Sequence, residues 1–361
     1  MSLLPVDLVR EDLRGFVGYR SARSAKVDGD VWLNANELPW PNLSDDAGCL
    51  RRYPEPQPAA LRTMMALRYG CEPGQVLVGR GSDEGIDLLV RAMCRPGADA
   101  VVVTPPTFGM YEVCARLHGV RVLGVPLTDG DAGFECDFDA VVDAALREGA
   151  KLVFLCSPGN PAGNPLPLER IEALAGRLQG RALVVVDEAY VEFAEAASAV
   201  TLIGRQPNIA VLRTLSKAHA LAAARVGCVV ADPSLIAVLQ RCQAPYPLPG
   251  PCTDAACRAL DDAAWQVTQA RIATVVGERG RLASTLGKLR QVRRVYPSSA
   301  NFLLARFTDA QVMLEQLSRS GIVVRDMRGH AGLADALRIT VGTPAQNSRL
   351  IELVTAMEVA A

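Results

Sequence analysis

The chain has 361 residues, half of them hydrophobic, which is enough to bury a large core and to form two domains. Its 38 basic and 39 acidic side chains leave a formal net charge of -1 with no block of like charges, arguing against nucleic acid or an anionic membrane as a partner. Ten cysteines are scattered without a Cys-x-x-Cys pair, and only His118, His219 and His330 could join them, so neither a metal site nor a disulfide framework is expected.

The N-terminus, Met-Ser-Leu-Leu-Pro-Val-Asp, has no basic region followed by an apolar core, and no run of about 18 apolar residues occurs; a cytoplasmic protein is expected. Residues 1–50 show no sustained period and read as an N-terminal arm. Helical spacing begins at Pro58 to Tyr69, and Val76 to Gly79 reads as a strand. From Ser82 the spacing of Ile86, Leu88, Leu89, Val90 and Met93 predicts a helix that stops at Pro96-Gly97. Strand and helix then alternate: Ala100 to Val103 strand, Phe108 to His118 helix, Val120 to Val125 strand, Asp137 to Glu148 helix. Lys151 to Leu155 is a strand, Leu168 to Leu178 a helix, and Ala182 to Val186, Ile209 to Leu212 and Val226 to Ala231 are strands. Short apolar runs separated by helices predict an α/β domain over 51–250 with a mostly parallel central sheet covered on both faces. After the Pro-rich segment Ala244 to Pro251, a long helical region from about Ala256 to Leu289 precedes strand, strand, helix, strand, strand, helix. Residues 251–361 read as a smaller C-terminal α+β domain, hinged near Pro249 to Thr253.

Ligands of such sheets bind beyond the carboxyl ends of the strands. Five strand ends carry polar or ring side chains: Gly79 to Gly85, Thr104 to Gly109, Ser157 to Gly163, Asp187 to Tyr190, and Thr214 to Lys217. The first has glycines at 79, 81 and 85, one place off the dinucleotide pattern, so a nucleotide-binding oxidoreductase is the weaker reading. Ser82, Asp83 and Glu84 instead open a helix whose free N–H groups suit a phosphate, or simply cap it.

Lys217 stands among Thr214, Ser216 and apolar residues, which suggests a buried amine; the competing reading is a surface lysine in a loop after a strand. Burial and cationic neighbours favour the neutral form, the one that attacks a carbonyl to make a Schiff base. With two hydroxyls and Arg225 nearby to hold a phosphate, a group with both an aldehyde and a phosphate is indicated, namely pyridoxal 5'-phosphate. Asp187, at the end of a valine run, needs a partner, and a pyridinium nitrogen would serve. Tyr190 and Asn160 suit the ring hydroxyl, and Phe108 can stack on a flat ring. The alternatives are a strand-end aspartate capping a turn and core aromatic residues. His219, two places after Lys217, points away from it on a helix and reads as structural.

In order and spacing, Asn34-Ala-Asn-Glu, Arg52-Tyr-Pro54, Gly79 to Glu84, Pro105 to Tyr111 and Ser157 to Gly163 resemble a known family. So do Asp187 to Tyr190, Thr214 to Arg225, Ala244 to Leu248, Arg325-Asp326 and Arg338 to Thr343. The resemblance is to the fold-type I, aspartate-aminotransferase-like superfamily of pyridoxal-phosphate enzymes, and within it to the histidinol-phosphate aminotransferase branch. It implies Lys217 as the Schiff-base lysine and proton carrier, Asp187 as partner of the pyridine nitrogen, and Asn160 and Tyr190 on the ring oxygen. Ser82, Asp83, Glu84, Thr214, Ser216 and Arg225 would surround the phosphate, with Phe108 on the ring and Tyr53 reaching in from the other subunit of a homodimer. Tyr19, Asn36, Arg325 and Arg338 would meet the substrate. Leu38, Phe108, Gly159 and Ala223 depart from the family's usual residues; Leu38 and Gly159 fall on the substrate side.

The implied reaction passes an amino group between L-histidinol phosphate and 2-oxoglutarate, or glutamate in reverse, in histidine biosynthesis. Within the same fold, an aromatic or other amino-acid aminotransferase and a decarboxylase of a phosphorylated amino acid are the competing readings.

Overall fold

The computed structural model describes residues 4–19, 21–22 and 29–359, the last two without side-chain detail. In chain order the helices are α1 (Glu11–Arg14), α2 (Ala59–Tyr69), α3 (Gly81–Met93), α4 (Met110–Leu117), α5 (Phe138–Glu148), α6 (Leu168–Arg177), α7 (Pro233–Cys242), α8 (Gly250–Leu260), α9 (Asp262–Leu286), α10 (Ala310–Arg319) and α11 (Pro344–Val359). The strands are β1 (Val76–Gly79), β2 (Ala100–Val103), β3 (Arg121–Gly124), β4 (Thr128–Gly130), β5 (Gly133–Glu135), β6 (Leu152–Cys156), β7 (Leu183–Asp187), β8 (Ile209–Thr214), β9 (Gly227–Val230), β10 (Val292–Val295), β11 (Phe302–Phe307), β12 (Arg325–Asp326) and β13 (Ala336–Thr340).

The large sheet has the order β1-β9-β8-β7-β6-β2-β3, and its strands are those expected from the apolar runs. It is parallel except for β9, which runs antiparallel to both β1 and β8. Alternation of side chains divides each run between two faces. Val153 and Leu155 pack with Val184, Val186 and Val211 beneath α2, α5, α6 and α8; Leu152 and Phe154 pack with Val185 and Leu212 beneath α3, α4 and α7. Because both faces are covered, every residue of β6 and β7 is buried. Each fully buried Leu, Val or Phe contributes about 1.5–3 kcal/mol of transfer free energy. Helix α3 lies so close to the sheet that a Cβ on Gly85 would stand 2.8 Å from Val229 Cγ2 and 2.9 Å from Leu212 Cδ2. That third glycine therefore serves helix–sheet packing.

The helical region expected from about Ala256 to Leu289 consists of two helices, α8 and α9, which meet where the Asp261 side chain accepts the Ala264 N–H at 2.8 Å and caps α9. Also, Ala256 and Leu260 of α8 pack in the large-sheet core, while Leu282 and Leu286 of α9 pack with the small sheet, ordered β10-β11-β13-β12.

The β4–β5 hairpin of the large unit is clipped to the small sheet. Asp129 accepts from Arg294 at 3.0 Å, Arg306 at 2.9 Å and the Tyr296 hydroxyl at 2.6 Å, over a contact of Phe134 with Tyr296. The loop after β6 joins the same junction, since Ser299 N–H donates to the Gly163 carbonyl at 2.7 Å. The small sheet is held in this way against the carboxyl edge of the large one.

Candidate active site

The carboxyl ends of β1, β6, β7 and β8 open on one cleft, lined by Ser82, Asp83, Phe108, Cys156, Asn160, Asp187, Ala189, Tyr190, Thr214, Ser216, Lys217 and Arg225. Arg225 reaches it because β9 is antiparallel. The start of that strand, Gly227, lies beside Gly79 and Thr214, and Arg225 two residues earlier sits in a left-handed conformation with φ 54°.

One end of the cleft is a hydroxyl and cation cradle. The Thr214 hydroxyl donates to Ser216 Oγ at 2.9 Å, and Arg225 donates to Ser216 Oγ at 3.4 Å and to Asp83 Oδ2 at 3.1 Å. The first turn of α3 faces this cluster through Gly81, which has φ +75° and on which a Cβ would come within 2.6 Å of Arg225 Nη2. A helix of this length presents free N–H groups and the positive end of its dipole there.

Asp187, 2% exposed, closes the other end. Its Oδ2 accepts from the Tyr111 hydroxyl at 2.7 Å and its Oδ1 from the Ala189 N–H at 3.1 Å. Burial pushes its pKa up to about 6 against those donors, so it is an ionised but strained carboxylate at neutral pH. Lys217 lines the same cleft, its Nζ 5.8 Å from the centre of the Tyr190 ring. Sequence suggested a buried amine or a surface lysine; Lys217 is exposed while lining the cleft. The cleft walls nonetheless lower its pKa by desolvation, and the charge of Arg338 lowers it further, with Asp83 opposing.

Arg338 comes from the small sheet. It donates to Asn160 Oδ1 and lies 5.2 Å from the Phe302 ring centre. Arg325 is its register partner across β12 and β13 and is exposed.

Not every expected residue lines the cleft. The Glu84 carboxylate is turned beneath the α3 start, accepting from Arg80 N–H at 2.7 Å and Gln243 at 3.2 Å, because the turn after β1 needs an acceptor for its buried N–H. Only its backbone can serve the cradle. Asp83 likewise directs its carboxylate to Arg225. Tyr19, 75% exposed, and Asn36 lie outside the cleft of their own chain, as does Tyr53, which stacks on Tyr246 with ring centres 4.5 Å apart. His219 is buried against Trp265 at 5.4 Å, in a separate hollow. Sequence reading gave no role to Tyr111 or Cys156; a buried tyrosine's need for a hydrogen-bond partner was the signal for the first.

The description "aminotransferase class I and II" fits residues 22–354 as a family model. The histidinol-phosphate aminotransferase of Xylella fastidiosa is 59% identical over 346 residues, 96% of this chain and 95% of that one. That of Stenotrophomonas maltophilia is 58% identical over 354 residues, 98% and 97% of the two chains. Among solved structures, histidinol-phosphate aminotransferase from Sinorhizobium meliloti in complex with pyridoxal-5'-phosphate superposes with a TM-score of 0.76 at 28% identity, covering 90% of each chain.

Proposed function

This chain belongs to the class I and II aminotransferases and to their histidinol-phosphate aminotransferase family, and from that we propose that it transfers an amino group between L-histidinol phosphate and 2-oxoglutarate with pyridoxal phosphate as cofactor. The observation that carries the reading is one cleft lined together by Lys217, the buried carboxylate of Asp187 and the cationic, hydroxyl-bearing cluster of Ser82, Thr214, Ser216 and Arg225.

The side chains present fit that cofactor. The cradle of Ser82, Thr214, Ser216, Arg225 and the α3 N–H groups would take its phosphate; the missing Cβ at Gly81 is what lets the Arg225 guanidinium lie against the first turn of α3. Asp187 would hold the proton on the ring nitrogen, Asn160 and Tyr190 would meet the ring oxygen, and Phe108 would cover a ring face. Bound there, the group supplies a reactive aldehyde carbon and an electron-accepting ring. The protein's own share is different. Burial against the cleft walls and the charge of Arg338 lower the pKa of Lys217, which favours a nucleophilic Nζ. The same Nζ, once free, takes the proton from the substrate carbon that bears the amine and returns it, as general base and acid. Arg338 and Arg325 receive the substrate's phosphate or carboxylate, their planar forks suiting both anions.

The working unit is a homodimer with shared active sites. The arm and the segment after it expose Val17, Leu33, Leu38, Trp40, Leu43 and Tyr53, an apolar surface suited to an isologous contact that would bring Tyr53, and with it Tyr19 and Asn36, to the other cleft. The chain divides into an arm, a large cofactor-binding unit and a small unit beginning along α9. No helix among the described residues is long and apolar enough to cross a membrane, and the cytoplasm is the proposed location.

The experiment is a product assay. With histidinol phosphate as amino donor, 2-oxoglutarate should be converted to glutamate with a kcat/KM well above that for phenylalanine, tyrosine or aspartate. Carbon dioxide release from a phosphorylated amino acid in place of glutamate formation would favour the decarboxylase reading.

A further inference from the structure

Tyr111 has no part in the chemistry described so far. Its ring is fully buried, parallel to Phe154 with centres 4.8 Å apart and 7° between planes, and Phe108 meets it edge-on at 5.7 Å. Held by β6 on one side and by the cleft-lining phenylalanine on the other, its hydroxyl is aimed at Oδ2 of Asp187, 2.7 Å away. Burial and the Asp187 charge keep the phenol well above its ordinary pKa, so the proton stays on Tyr111 and the bond always favours the ionised carboxylate.

We propose that Tyr111 is a positioning residue, whose hydroxyl keeps the Asp187 carboxylate ionised and turned so that its remaining lone pairs face the cleft. The inference rests on the reading of Asp187 as partner of the cofactor's ring nitrogen. Five neighbours act on that carboxylate: Tyr111 from α4 and the Ala189 N–H donate to it, Asp83 from α3 disfavours its charge, Lys217 favours it, and Cys156, its register partner on β6, stands beside it. Burial has already brought its midpoint close to neutrality. Removing the phenol would raise it further, toward the uncharged acid, and an uncharged acid does not hold a proton on a facing nitrogen. Ring packing and hydroxyl donation are separable, because phenylalanine keeps the first and loses the second.

The test uses Tyr111→Phe and, independently, 3-fluorotyrosine at position 111, which makes a stronger donor. In the cofactor-free protein, the carbon-13 resonance of the Asp187 carboxyl, assigned by its absence in Asp187→Asn, is followed against pH. Tyr111→Phe should raise the midpoint by about one to two pH units, the worth of one hydrogen bond to a charged acceptor. Fluorotyrosine should lower it. In the loaded enzyme Tyr111→Phe should lower kcat near pH 7 with little change in KM for histidinol phosphate, and the loss should shrink as pH rises. An unmoved midpoint in Tyr111→Phe overturns the proposal; should that variant not fold, an unmoved midpoint with fluorotyrosine does so. A parent protein that binds no pyridoxal phosphate would instead overturn the cofactor reading, and the carboxyl titration reads independently of that.

Discussion

Arg338 of the small sheet donates a hydrogen bond to the Asn160 carboxamide on the large one, so a cation from one unit is anchored at the mouth of the cleft in the other. Its register partner Arg325 stands beside it, and neither forms an ion pair among the described residues. We propose this pair of guanidinium groups as the receiver for the substrate's anion. Arg338→Ala or Arg325→Ala should raise the KM for histidinol phosphate about ten- to a hundredfold, the cost of one charge-assisted contact. The cofactor's absorption should stay, and the preference over unphosphorylated histidinol should narrow. Steady-state kinetics with both amines checks this; parent-like KM and preference in both variants would make them surface residues.

Asp187 sets a pH dependence. It is an acid whose folded pKa, about 6, lies above its ordinary 3.8, so the folded state binds the proton more tightly than the unfolded one. Its ionisation therefore costs stability: the cofactor-free protein loses it between about pH 4 and 6 and is level above that. Asp187→Asn should stabilise the cofactor-free protein at pH 7 by about 2–3 kcal/mol and abolish turnover. Thermal melts of both proteins at pH 4 and 7 test it, and the gap should close at the lower pH.

Arg213 is a buried cation behind the cleft. It pairs with Glu192 at 2.8 Å and Glu188 at 3.5 Å, and the Glu188 carboxylate also accepts from Ser198 Oγ at 2.5 Å and the Ala199 N–H at 2.6 Å. Burial opposes the charge of Arg213, and the two glutamates outweigh it and hold its pKa above the ordinary value. Arg213→Met leaves two buried carboxylates unpaired and should cost about 3–5 kcal/mol in urea unfolding. The combined replacement with Glu192→Gln should recover part of that loss.

The strands of the large sheet and the converging strand ends were legible in the sequence because a sheet buried on both faces writes each strand as an unbroken apolar run. The antiparallel direction of β9 was not, since Val226 to Ala231 reads the same in either direction. Yet that reversal is what returns Arg225 to the cleft. The exposure of Lys217 and the turning of Glu84 beneath α3 depend on loop paths with no sequence period. The break between α8 and α9 was signalled by Asp261-Asp262, an N-cap followed by an acidic first turn, inside a pattern otherwise continuous. Tyr111 sat at helical spacing among apolar residues, where an aromatic reads as core; only its hydroxyl, meeting Asp187 across 76 positions, sets it apart.

The most direct measurement is to find which lysine holds the cofactor. The chain has four lysines, Lys26, Lys151, Lys217 and Lys288. Lys151 precedes β6, at the amino end of the strands and opposite the cleft, Lys288 follows α9, and Lys26 lies outside the described residues. The protein loaded with pyridoxal phosphate is reduced with borohydride, digested, and its peptides are weighed. A pyridoxyl group on Lys217 alone, with activity lost in step with labelling, is the expected result. A label on another lysine, or none in a protein that still transaminates, would contradict the role given to Lys217.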